Sequence, residues 1–211
     1  MLLSREIRRE LSDGKAIVVR RSWLVRFVPN GRGIAVEGKQ ASASVDAPEK
    51  LRPLAELEEQ RDTNGMFPIL LSADGRIVGA GSGQDADDIA KAVRIAEGLI
   101  AKSNRTPTQK SEAVQYLGAI QAAGGSLLET LPPDLFYPSG REMRQHRDIA
   151  LPDGATGEIE LVYASSSLAG ESWLERASRD IVTRLGNSER VSSEIWRMVP
   201  VESSGNTGNG T

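Results

Sequence analysis

Two arms separated by a three-residue turn constrain this chain more than any other stretch of it. From Ser172 to Val199 the sequence runs W-L-E-R-A-S-R-D-I-V-T-R-L, then Gly186-Asn187-Ser188, then E-R-V-S-S-E-I-W-R-M-V. Ala177, Ile181 and Leu185 in the first arm suit a helix as well as a strand. The second arm decides, because Val191, Ser193, Ile195 and Val199 alternate with residues of the other face. A Gly-Asn-Ser turn between β-branched arms is a hairpin signature. Glu158–Ala164, just upstream, reads as a further strand, so the C-terminal region is expected to be an antiparallel meander.

The same turn chemistry recurs near the N-terminus. Lys15 to Val28 places Ile17, Val19, Trp23, Val25 and Phe27 on one strand face, with Arg20, Ser22 and Arg26 on the other. Pro29-Asn30-Gly31-Arg32-Gly33 turns the chain, and Ile34 to Val45 returns as a more polar strand, in which Gly38 marks a bulge or bend. Phe67–Ser72 and Arg76–Gly81 flank Ala73-Asp74-Gly75 as a second hairpin. A strand is also expected over Glu142–Ala150.

Helical periodicity fills the rest. Leu3, Ile7 and Leu11, spaced by four, predict a short helix over residues 2–12 ended by Asp13-Gly14. Asp46-Ala47-Pro48-Glu49 has the form of a capped helix start, and Leu51, Leu54 and Leu57 continue its stripe to about Arg61. Asp85–Lys102, with Ile89, Val93, Ala96 and Ile100 on one face, predicts the clearest helix. Pro107–Ala123 predicts another, stopped by Gly124-Gly125. Leu127–Pro138, with three prolines, is expected to cross the molecule as an irregular connection or edge strand. The expected fold class is therefore α+β: a mainly antiparallel, curved sheet of about eight strands with three to four helices packed on one face. Residues 1–200 are expected to form one domain, with a possible subdomain split near 103–106. Residues 201–211, rich in Ser, Gly, Asn and Thr, are expected to be a disordered tail.

Composition narrows the function classes. The 211 residues carry a net charge of −3, which argues against general binding of nucleic acid or an anionic membrane by the whole molecule. There is no cysteine, so disulfides, thiol catalysis and cysteine metal sites are excluded. Neither a signal-peptide h-region nor a membrane span is recognisable, which makes a cytoplasmic location the expectation.

Several stretches carry candidate chemistry. Ile77-Val78-Gly79-Ala80-Gly81-Ser82-Gly83-Gln84 leads a strand into a glycine-rich turn and a helix, the layout of a phosphate cradle. Gln84 stands where a dinucleotide fingerprint needs glycine, and Asp85, Asp87 and Asp88 would repel phosphate, so a plain turn is the better reading. Those aspartates offer oxygen ligands to a cation, but a helix carries them apart and capping explains them, so no metal is expected. His146, the only histidine, shares a strand face with Asp148; no Gly-x-Ser-x-Gly elbow accompanies them. An enzyme of unknown class with its site near His146 and Asp148 is the alternative to a binding function, and no cofactor is expected.

Residues 1–40 hold nine Lys or Arg against four acids, a net +5. Arg20, Arg26 and Arg32 form a candidate stripe for an acidic partner, although an outward charged face that also protects a sheet edge is the better reading. Trp23, Trp173, Trp196 and Met198 are candidates for lining an apolar ligand cavity, with core packing as the plainer explanation. In shape, a curved antiparallel sheet capped by helices resembles the half-barrel of bacterial lipoprotein carriers, a likeness that implies an apolar ligand or a partner's tail against the sheet. The function expected is non-catalytic binding, as a carrier or sensor of an apolar small molecule or as a module that engages another protein.

Overall fold

The computed structural model describes residues 1–11, 13–80, 131–150, 156–185 and 188–201. They build one nine-stranded antiparallel sheet from β1 (Leu2–Glu10), β2 (Ala16–Asn30), β3 (Gly33–Asp46), β4 (Ile69–Leu71), β5 (Ile77–Ala80), β6 (Met143–Ala150), β7 (Thr156–Ser167), β8 (Leu174–Leu185) and β9 (Ser188–Val199). The order across the sheet is β5-β4-β3-β2-β1-β9-β8-β7-β6. Two meanders therefore meet where the first strand pairs with the last, Leu2 opposite Val199 and Arg5 opposite Trp196. The short strand β5 and the charge-rich β6, exposed from Met143 to Asp148, form the two edges. Charges along β6 disfavour pairing with a further strand.

This architecture overturns the expected α+β class. Helix among the described residues amounts to a single 3-10 turn, Glu49–Leu51, running into α1 (Arg52–Gln60), with a second 3-10 turn at Asn64–Met66. Three to four helices packed on a sheet face are not what this sheet carries. The helices expected over Asp85–Lys102 and Pro107–Ala123, with the glycine-rich turn from Gly81 onward, lie outside the described residues. So do the boundary near 103–106 and the tail from residue 202.

The expected N-terminal helix is strand β1. A spacing of four is two strand repeats as well as roughly one helical turn, so Leu3 and Ile7 fit both. The residue between them on the strand face is Arg5, which is buried like its neighbours, and a cation at a core position hid the period of two. The expected cap at Asp46 is also absent. Asp46 ends β3, and Pro48 precedes the 3-10 turn without a side-chain cap. In β3 the bulge falls at Ala41, where the register jumps from Ser22–Ser42 to Trp23–Gln40. Gly38 serves another purpose: a Cβ there would come within 2.4 Å of the Phe67 ring, so the missing side chain seats that ring on the sheet.

We call the face bearing Leu3, Ile7 and Trp23 the inner face. Two buried clusters lie on it. The larger joins Leu3, Trp23, Val36, Met66, Ile69, Phe136, Leu174, Trp196 and Met198; the smaller joins Ile7, Ile17, Val19, Val45 and, from the helical segment, Leu51, Leu54 and Ala55. The stretch 131–138 crosses this face as the expected irregular connection. Pro133 O accepts from Ile77 N (2.8 Å) on one wing of the sheet, and Phe136 O accepts from Leu174 N (3.1 Å) on the other. Leu135 and Phe136 are fully buried between those anchors. No helix among the described residues is long and apolar enough to cross a membrane.

Candidate functional site

Three of the four residues proposed to line a cavity form the centre of the core. Trp23, Trp196 and Met198 are 0%, 1% and 0% exposed, and the two indoles stack at 6.2 Å with a 23° interplanar angle. Trp23 Nε1 donates to Thr63 Oγ1 at 2.9 Å, so its polar tip is satisfied inside the protein. Trp173 stands apart, in the turn before β8, where it packs on Phe27 and Tyr137 at 4.1 and 4.3 Å. Among the described residues these aromatics pack against one another and against their neighbours in the larger cluster.

Between the two clusters the inner face carries buried charge that sequence reasoning missed. Arg5 pairs with Glu194, which also binds Arg179 directly opposite it on β8. The Arg5 guanidinium lies 4.7 Å from the centre of the Trp196 ring, adding a cation–π contact. Burial lowers the Arg5 pKa to about 10, against the pull of Glu194 toward the charged form, and the group remains a cation at neutral pH. Arg21 Nη2 donates to the Glu58 backbone oxygen (2.5 Å) and to its carboxylate (2.8 Å), while Nη1 donates to Arg61 O (3.0 Å) and Gln40 Oε1 (3.3 Å). Gln40 Oε1 also accepts from the Thr63 hydroxyl and backbone N–H, which ties Trp23 into the same network. The signal available in the sequence was phase: Arg21 interrupts the apolar row Ile17, Val19, Trp23, Val25.

The outer face has a different character. Arg20 donates to Glu6 (2.7 Å) and Arg26 to Glu37 (2.6 Å), so two members of the expected basic stripe are neutralised across the ladder; Arg32 is exposed in the β2–β3 turn. Between Arg20 and Arg26 lies Leu24, 51% exposed, in register with Leu2 on β1 and, through it, with Val199 on β9, itself 46% exposed. A groove of about 330 Å³ runs beside Leu24, lined by Leu24, Val25, Arg26, Glu37, Gly38 and Lys39.

His146 lies far from this groove in register, on edge strand β6. Its Nδ1 is 3.1 Å from Glu158 and its Nε2 3.3 Å from Asp148, and Arg184 reaches Glu158, Glu160 and Glu189 on the same face. His146 and Asp148 are brought together as expected, but both are exposed, at 57% and 87% of their side chains. Glu158 is thus a second carboxylate at the His146 ring, and among the described residues no metal-binding group of carboxylates and histidine is found there.

The sequence matches no protein-family model and no curated protein. Function is therefore argued from these surfaces alone.

Proposed function

We propose that the protein is a non-catalytic binding protein, an interaction module that engages another polypeptide through the outer face of its sheet. One observation carries this reading: the exposed apolar side chains Leu24 and Val199 share a cross-strand row with Leu2, beside a groove. Scattered exposed aliphatic residues need no explanation, whereas a contiguous row next to a recess is the form of a contact surface. Carriage of an apolar small molecule is the weaker reading, since the candidate lining residues Trp23, Trp196 and Met198 are packed against one another. An enzymatic site at His146 and Asp148 is weaker still, since both groups are solvated and the further carboxylate at His146, Glu158, is itself partly exposed.

Photo-crosslinking in cells tests the proposal. A photoreactive residue at position 24 is expected to capture a polypeptide, and the same probe at position 44, on the same face two rows away, is not. Native mass spectrometry of the purified protein completes the test. A non-covalent small molecule lost on denaturation, with no crosslink at position 24, would transfer the assignment to a carrier.

A further inference from the structure

The charges around the apolar row specify what kind of segment it receives. Lys39 stands directly opposite Leu24 in the β2–β3 ladder, exposed. One row further on, Arg197 follows Ser4 on β9, and Arg176 stands directly opposite Arg197 on β8. Both arginines are exposed. Among the described residues Lys39, Arg176 and Arg197 form no ion pair, in contrast to Arg20 and Arg26 on the same face. Like charges facing each other across a ladder repel and destabilise the pair. An anion between them removes that repulsion, and a guanidinium offers a carboxylate two parallel donors.

We propose that this surface docks an acidic segment of a partner protein with an apolar anchor: its carboxylates meet Arg176, Arg197 and Lys39, and one apolar side chain enters the groove beside Leu24. The proposal rests on the interaction-module reading and names its partner's chemistry. A polypeptide fits better than a lipid surface for a geometric reason. The groove between Leu24–Arg26 and Glu37–Lys39 is a recess of about 330 Å³, which accepts a side chain. A bilayer would meet the exposed Leu24 and Val199 but would leave that recess unfilled, whereas a polypeptide supplies a side chain for it. The adjacent Ser4, Ser22 and Ser42 add small hydroxyl groups that leave the sheet surface open to an extended chain.

The test uses the full chain and three peptides of equal length with one central leucine, flanked by glutamates, by glutamines or by lysines, read by fluorescence anisotropy. The glutamate peptide is expected to bind, to weaken at least tenfold between 50 and 500 mM salt, and to weaken at least tenfold with Arg176→Gln/Arg197→Gln. Leu24→Ser is expected to weaken it by a similar factor, with unchanged urea midpoints for both variants. Equal binding of the glutamine peptide would overturn the acidic partner while leaving the interaction module standing. Failure of all three peptides, with binding to phosphatidylglycerol vesicles that Leu24→Ser abolishes, would overturn both in favour of a membrane surface. Failure of every probe, together with no crosslink at position 24, would overturn both outright.

Discussion

Arg5 and Arg21 stand directly opposite each other in the β1–β2 ladder, and neither reaches solvent. Two cations in that relation repel, so each is held by an acid from a different direction: Glu194 from β9 and Glu58 from α1. The pair separates Leu3 and Trp23, in the larger cluster, from Ile7 and Val19, in the smaller one. It also distinguishes registers. Sliding β1 by one residue turns Arg5 to the outer face and takes from the buried Glu194 one of its two arginine partners.

Removing the acid therefore costs more than removing an ordinary surface carboxylate. Glu194→Ala strands Arg5, and loss of one partner of a buried ion pair costs about 3–5 kcal/mol. Glu58→Ala is expected to cost less, because Arg21 keeps the backbone oxygens of Glu58 and Arg61 as acceptors. Arg5→Met/Glu194→Leu removes the Arg5–Glu194 pair but also takes the Glu194 carboxylate from Arg179, so it is expected to recover only part of the loss. Urea unfolding of the three variants checks the order; a Glu194→Ala protein within about 1 kcal/mol of the parent would show that the network contributes little.

These arginines also show how much was legible in the sequence. Strands β2, β3, β8 and β9 could be read because β-branched and aromatic residues alternate between clear turns. The antiparallel pairing of β8 with β9 and the connection over 131–138 were likewise visible, in the Gly-Asn-Ser sequence between the two arms and in the prolines. β1 was not, because Arg5 occupies the core position that would have revealed its period, and its compensating acid lies 189 positions away. Long-range ion pairing leaves no local trace. The candidate tryptophans were recognised as large apolar groups, but whether they line a cavity or close one depends on partners such as Thr63 and Phe136. Lys39, Arg176 and Arg197 become a group only through the β3-β2-β1-β9-β8 order, which no single stretch encodes.

Gly38 is predicted to tolerate no side chain. A Cβ would lie 2.4 Å from the Phe67 ring, which cannot retreat without leaving the larger cluster. Overpacking of this kind costs about 1–3 kcal/mol. Gly38→Ala is expected to lower the unfolding free energy from urea titration by that amount, and with it the midpoint, and Gly38→Ala/Phe67→Leu to restore part of it. An unchanged midpoint for the single variant would contradict the close approach.

Tyr163 is predicted to make stability fall at alkaline pH. Burial raises its pKa above the ordinary tyrosine value, and the charge of Asp134, which accepts its hydroxyl at 3.1 Å, acts in the same direction. The folded state thus holds the proton longer than the unfolded chain does. Its contribution is fully present below the unfolded value of about 10 and is lost as pH rises above it. Unfolding free energies measured between pH 9 and 11 should decline in the parent and decline less in Tyr163→Phe. Phenolate absorbance should show less tyrosine titrating in the folded parent than in urea over that range, with a smaller difference in Tyr163→Phe. A Tyr163→Phe protein with the same pH slope as the parent would refute the assignment.

His146 is predicted to matter little to stability, because its contacts with Glu158 and Asp148 are made in water. Exposed ion pairs contribute about 0–1 kcal/mol, and less at high salt. His146→Ala is expected to shift the urea midpoint by less than that range allows, with a smaller shift still at 0.5 M salt. The peptide affinities measured for the outer-face groove should not change, since His146 lies on β6, four strands from β1 in the sheet order. That variant therefore separates the two ends of the sheet. A loss of peptide binding on His146→Ala with an intact fold would mean that the edge strand, and not the Leu2–Leu24–Val199 row, carries the contact.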